Sequence, residues 1–201
     1  MEDAEKFMKI SKLVIATANA GKFKEFHEMA KDFVSEVIFA PEIAKLVVEE
    51  TGKTYSENAM LKALSWAKAS GLPCLADDSG LEVNALDGAP GLYSARIIQG
   101  SDDNKISWLL NSLSDKSDRT ARFAASLALC IPNDYMLICE GFCYGTIAHA
   151  PAGNNGFGYD PVFVPDGYNK TFAELEPDIK NSISHRNNAF RKIINILNLS
   201  K

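Results

Sequence analysis

Apolar residues recur along this chain at two spacings, and the spacings separate helices from strands. KLVIAT (12–17) is a short apolar run of strand length. After the turn Ala18-Asn19-Ala20-Gly21, the residues Phe23, Phe26, Met29/Ala30 and Phe33 return at helical intervals. Residues 36–40 read as a second strand, and 41–55 as irregular and polar. Thr54 and Glu57 have capping-box spacing. Ala59, Met60, Ala63, Leu64 and Ala67 then mark a helix that stops near Gly71. Leu72, Cys74, Leu75 and Ala76 form a strand that ends abruptly in Asp77, Asp78, Ser79 and Gly80. LEVNALDGAPG reads as a further short strand and turns.

Asp102 is placed to cap a helix carrying Ile106, Leu109, Leu110 and Leu113. From Thr120 the period becomes two, with Phe123, Ala125, Leu127, Leu129 and Ile131 on one face. Residues 135–139 and 142–147 continue as two strands with turn residues between. Their short connections predict antiparallel pairing. The Gly/Asn-rich loop PAGNNGFGYD (151–160) leads into the strand-like PVFVP. A last helix begins near Ser182–Ser184 and buries Phe190, Ile193, Ile194 and Leu197. The order β-α-β-α-β-β-α, a β-meander, a loop, a strand and a helix predicts a mixed α/β protein without internal repeats.

The 201 residues are ample for one domain with a sizeable core. A net charge of −5 and the lack of a basic stripe argue against nucleic-acid binding. No run of 18 apolar residues offers a membrane span. The first twelve residues, MEDAEKFMKISK, lack an apolar signal core. The four cysteines (74, 130, 139 and 143) fall mostly in apolar runs without zinc spacing, so a reducing cytoplasm is expected.

Five stretches offer chemistry. In TANAGK a strand ends, a small turn follows and a helix starts at Lys22, which aims backbone N–H groups and the helix's positive end at one spot. In LADDSG two carboxylates, a hydroxyl and a glycine suit a hard cation that binds together with phosphate oxygens. Glu49 and Glu50 of VVEETG could add another carboxylate. Neighbouring residues of a strand face opposite ways, so Asp77 and Asp78 should divide their labour. In GFGYDP the aromatic residues Phe157 and Tyr159 bracket Gly158 and precede Asp160, a base-stacking pattern. In KNSISHR, the residues Lys180, His185 and Arg186 are donors able to read a carbonyl. In GAPGLYSARI, Ser94 and Arg96 either face a site or complete the core edge. Together these describe an Mg2+-dependent nucleotide-binding enzyme or sensor.

At the same residues the chain resembles the inosine triphosphate pyrophosphatases, also called dITP/XTP pyrophosphatases, in their bacterial form. TANAGK, EETGKTYSENAMLKA, LADDSGLEVNALDGAPGLYSAR, GFGYDPVFVPDGYNKTFAEL and KNSISHR stand in family order from Leu13 to Leu197. The resemblance implies hydrolysis of ITP, dITP and XTP to the monophosphate and pyrophosphate, which cleanses the nucleotide pool. It implies Mg2+, a homodimer, and one domain of two lobes built on an elongated mixed sheet, with the active site in the cleft between the lobes. Residues Thr17, Ala18, Asn19, Ala20, Gly21 and Lys22 would hold triphosphate. Asp78 would be the catalytic carboxylate and a metal ligand, with Glu49 the second metal ligand and Glu50 its near alternative. Ser79 would touch the phosphates. Phe157, Gly158, Tyr159, Asp160, Lys180, His185 and Arg186 would bind the nucleoside and select the base. One position departs: the family usually has Gly where Ala18 stands, and Ala lacks glycine's freedom at positive φ.

The expected mechanism places Asp78 where it orients or deprotonates the attacking water, with Asp77 as the alternative. Donors from His185 and Arg186 would pair with the 6-carbonyl of hypoxanthine or xanthine and oppose adenine's amino group. Guanine shares that carbonyl, so its exclusion has to come from position 2. The competing readings are a pyrophosphatase for other modified nucleotides and a non-enzymatic purine nucleotide sensor.

Overall fold

The computed structural model describes residues 10–199. Most of the N-terminal segment read above for a signal core, residues 1–9, lies outside the described residues.

Six strands form one sheet in the order β2-β1-β3-β4-β5-β6. They are β1 (Lys12–Ile15), β2 (Glu36–Phe39), β3 (Cys74–Val83), β4 (Thr120–Cys130), β5 (Met136–Ile147) and β6 (Phe163–Pro165). The helices are α1 (Ala20–Ala30), α2 (Ala40–Ile43), α3 (Tyr55–Ser70), α4 (Asp102–Ser112), α5 (Pro177–Ile183) and α6 (His185–Leu199). β1 pairs in parallel with β2 and with β3, and β5 pairs antiparallel with β6. The mixed α/β class read from the pattern is therefore the observed one. No described helix is long and apolar enough to cross a membrane.

The chain divides into two compact units. One runs to Asp78 and adds residues 126–140 and the chain from Ala189; the other is 79–125 with 141–188. The first unit buries both faces of its strands. Leu13, Ile15, Leu75, Leu127 and Leu129 pack with Phe26, Phe190 and Ile193. Alternate residues of the same strands (Val14, Cys74, Ala76, Ala128 and Cys130), with Ala16 just beyond β1, pack with Ala59, Ala63 and Ala67 of α3. Apart from Trp66, the α3 side chains in that layer are alanines, which lets the helix lie close to the strands. The second unit has an aromatic core in which Phe123, Phe163 and Phe172 pack with Leu81, Leu109 and Val162.

Several elements differ from the pattern. β3 runs unbroken through Asp77–Ser79 to Val83, where two strands were expected. β5 likewise joins the two strands expected on either side of Gly141. Ala40 opens the short α2 rather than closing β2, because Pro41 favours a first helical turn. Ser101, not Asp102, caps α4, through a reciprocal capping box with Asn104. On β4 both faces are buried: Ala124, Ser126 and Ala128 are as enclosed as Phe123 and Leu127. Met60 and Leu64 lie exposed on α3, whose buried stripe is Ala59, Ala63, Trp66 and Ala67. The four cysteines are buried free thiols, and burial pushes that of Cys143 up to about 12.

Candidate active site

In the first unit, the turn between β1 and α1 is closed by its own side chains. Asn19 caps α1, its Oδ1 accepting the Lys22 N–H at 3.0 Å, and its own N–H donates to Thr17 Oγ1 at 3.1 Å. These bonds fix Thr17–Lys22 with the positive end of α1 exposed and no acidic side chain in its first turn. Among the described residues only Asp87 and Asn133 are non-glycine residues at positive φ, so Ala18 keeps the turn without left-handed strain.

The two aspartates of β3 take different partners within this unit. Asp77, with 1% of its side chain exposed, accepts an ion pair from Lys22 Nζ at 2.6 Å. Asp78 faces α3. Its Oδ2 accepts from Asn58 Nδ2 at 3.0 Å, and its Oδ1 lies 3.5 Å from Lys62 Nζ. Asn58 and Lys62 are four residues apart, so one helical face presents both. Lys62 Nζ also donates to Glu50 Oε1 at 2.5 Å, which joins Glu50 and Asp78 through one ammonium. Burial pushes the Asp78 carboxyl above its ordinary range. Lys62 and the Asn58 bond pull it back, while Glu50 and Asp77 push with burial. Glu49 is exposed; its neighbour Glu50 is the residue that the structure gathers beside Asp78.

The second unit presents a different chemistry. Gly156 is at φ +79, and a Cβ there would collide with Asp160 Oδ2, so this turn calls for glycine. Asp160 Oδ2 accepts the Phe157 N–H at 2.8 Å and Lys180 Nζ at 2.6 Å. The next N–H, of Gly158, donates to Asp102 Oδ2 at 2.7 Å. Partial burial raises the Asp102 pKa, but the bonds from Lys105 and Gly158 outweigh it and hold the carboxyl below its usual range. Two carboxylates thus grip consecutive backbone N–H groups of the loop.

Phe157 is half-buried, with Lys180 Nζ 5.0 Å and Arg186 Cζ 5.3 Å from its ring centre. Tyr159 turns into the core, where its hydroxyl donates to the Ser94 carbonyl at 3.3 Å and burial pushes its pKa up. α5 supplies the buried Lys180. The chain then breaks at Ser184, which is extended, and α6 starts on His185 and Arg186. His185 stacks on Phe123 at 4.7 Å and 10°. Arg186 Nη2 donates to Ser79 Oγ at 3.0 Å. Ser94 Oγ accepts the Leu81 N–H and donates to the Gly91 carbonyl, and the Arg96 guanidinium lies over Tyr93.

Three residues acquire roles that single-sequence reading did not give them. Asn58 and Lys62 lay within ENAMLKA as polar positions of an amphipathic helix. The usable signal was their i, i+4 spacing beside a stripe of alanines. Asp102 looked like a helix cap but holds the 156–160 loop.

The Ham1 family model matches residues 13–196. The dITP/XTP pyrophosphatase of Streptomyces avermitilis is 45% identical, an alignment covering 94% of this chain and 98% of that protein. Its namesake from Rhodospirillum centenum is 46% identical over 90% of this chain and 92% of its own. The solved structure of the Staphylococcus aureus Ham1 protein is 42% identical, with a TM-score of 0.83 over 94% of this chain and all of that one. With a family match over most of its length, this chain belongs to the Ham1 family.

Proposed function

We propose that this chain hydrolyses nonstandard purine nucleoside triphosphates (ITP, dITP and XTP) to the monophosphate and pyrophosphate, with Mg2+ as cofactor. The carrying observation is the buried carboxylate of Asp78, held by Asn58 and sharing Lys62 with Glu50, in a chain whose curated relatives are dITP/XTP pyrophosphatases.

The phosphates are assigned to the Thr17–Lys22 turn. Its helix start and Lys22 offer positive charge, and Asp77 keeps the Lys22 ammonium in place. Asp78 orients the attacking water. Its carboxyl is biased by burial toward the proton, and Lys62 and Asn58 limit that bias, so it can accept a hydrogen bond or a proton.

Asp78 with Glu50, or with Glu49, fits a hard divalent cation, because all the donors are carboxylate oxygens. Among the described residues no group of three or more such ligands gathers, which suits a cation that completes its shell with water and phosphate rather than an all-protein cage. When bound, Mg2+ would neutralise charge developing on the phosphates.

The base is assigned to Phe157 as the stacking surface and to His185, Lys180 and Arg186 as donors. Three donors at 5% exposure or less make an enclosed site that rewards a carbonyl and rejects an amino group. Ser79, bonded to Arg186, is assigned to the phosphates. A homodimer is carried from the family resemblance. A cytoplasmic setting accords with four free thiols.

The test is a panel of nucleoside triphosphates with and without Mg2+, scored for pyrophosphate. Pyrophosphate released from ITP, dITP and XTP far ahead of ATP is the expected result. Orthophosphate as the product, or equal turnover of ITP and ATP, contradicts the proposal.

A further inference from the structure

Asn58 lies in the first turns of α3 and is fully buried. Its side chain makes two bonds of opposite sense. Oδ1 accepts the Gly52 N–H at 2.8 Å, and Nδ2 donates to Asp78 Oδ2 at 3.0 Å. A side chain with an acceptor and a donor a few ångströms apart is needed here, and only an amide of this length provides both. The approach is close: a Cβ on Gly52 would lie 2.6 Å from Asn58 Oδ1 and 2.6 Å from Glu57 Cβ. The next residue of the loop is held in the same way, with the Lys53 N–H donating to Glu57 Oε2 at 2.5 Å. Glu50 is tied to Lys62 of the same helix. The EETG loop and the Asp78 carboxylate therefore hang from α3, where Lys62 touches both through its charge and Asn58 touches both through a neutral amide.

We propose that Asn58 is a positioning residue for the reaction, fixing the orientation of the Asp78 carboxylate and locking the EETG loop to it. The inference rests on Asp78 being the catalytic carboxylate. A carboxylate free to turn about its χ angles spends only part of its time aimed at the water. An error of about 1 Å in such a group can cost on the order of a hundredfold in rate. The donor from Asn58 removes that freedom without adding charge.

Two substitutions separate the two bonds. Asn58→Ala loses both. Asn58→Asp keeps an acceptor for Gly52 but cannot donate to an ionised Asp78. With ITP as substrate, both variants should lose kcat by roughly ten- to a hundredfold with KM within about threefold, since positioning acts on the reacting group and not on substrate binding. If Asn58 served only to hold the loop, Asn58→Asp would restore kcat and overturn the proposal; unchanged kcat in both variants would do the same.

A measurement on proteins carrying native Asn58 covers the case in which the substitutions unfold the chain. The Asn58 side-chain amide resonances should shift in Asp78→Asn, while those of Asn84, which bonds Thr120, stay in place. Unmoved Asn58 resonances overturn the proposal. The turnover of Asp78→Asn separates the two failures. If it retains near-normal activity, the reading of Asp78 falls. If it is inactive and Asn58 proves indifferent, only the positioning role falls.

Discussion

The two units carry charge in contrasting ways. In the first, charges are held by other charges: Lys22 by Asp77, and Lys62 by Glu50 and Asp78. Such a network holds three carboxylates and two ammonium groups in place beside the helix start of the Thr17–Lys22 turn. In the second, Lys180 is paired with Asp160 as well, but it and Arg186 also flank the Phe157 ring, and the His185 ring stacks on Phe123. That arrangement offers a flat surface and directed donors, which suits a planar base. Under the proposed function, rate and base choice would be housed in these separate side-chain sets, and substitutions should separate them.

The largest effect is expected at Asp78. Asp78→Asn should lower kcat for ITP by about 10³-fold, as expected when a group acting on the transition state is removed. A folded Asp78→Asn enzyme with near-normal turnover would remove Asp78 from the mechanism. Next comes Lys22→Met, which deletes the cation and leaves the Asp77 carboxylate without that ion pair. It should lower kcat/KM by about 10²-fold on every nucleotide tested. A loss confined to ITP would place Lys22 with the base. Smaller still, Phe157→Ala should raise KM roughly tenfold with kcat nearly kept, the worth of one stacked ring. A kcat loss at constant KM would move Phe157 into the rate-setting group.

The smallest effect is one of stability. Burial raises the folded-state pKa of Asp78 above its unfolded value. The folded chain then binds more protons, so this contribution is fully present below the unfolded carboxylate pKa, about 4, and is lost as pH rises through the folded value. Asp78→Asn removes that loss. In metal-free buffer, the Tm of the variant minus that of the parent should grow as pH rises from about 4 toward neutrality. A flat difference would show that the partners of Asp78 fully offset its burial.

How much of this was legible before folding depends on the range of the interactions. Helices with clear 3.6 spacing and the Thr54 cap are local and were readable, although the Glu57 side chain takes the Lys53 N–H instead of closing the box on Thr54. The run Asp77-Asp78-Ser79 was not readable as strand, because two adjacent carboxylates look like a turn until Lys22, Asn58 and Lys62 arrive from elsewhere to satisfy them. That the two aspartates take different partners was foreseen from strand alternation, but Glu50 rather than Glu49 beside Asp78 is set by the reach of Lys62. The pattern GFGYD offered two aromatic faces; Gly158, at φ +62, lies between a half-buried Phe157 and a Tyr159 that enters the core. The break at Ser184, which lets Lys180 and the His185–Arg186 pair come from different helices, has no proline or glycine to announce it.

The most direct test of the division between rate and base choice is the ratio of kcat/KM for ITP over ATP in the parent, in Lys22→Met and in His185→Gln. Lys22→Met should depress both nucleotides together and leave the ratio near its parent value. His185→Gln should lower the ratio, by roughly tenfold or more, as expected when one donor to a carbonyl is lost from an enclosed site. A ratio that collapses in Lys22→Met and survives in His185→Gln would contradict the assignment.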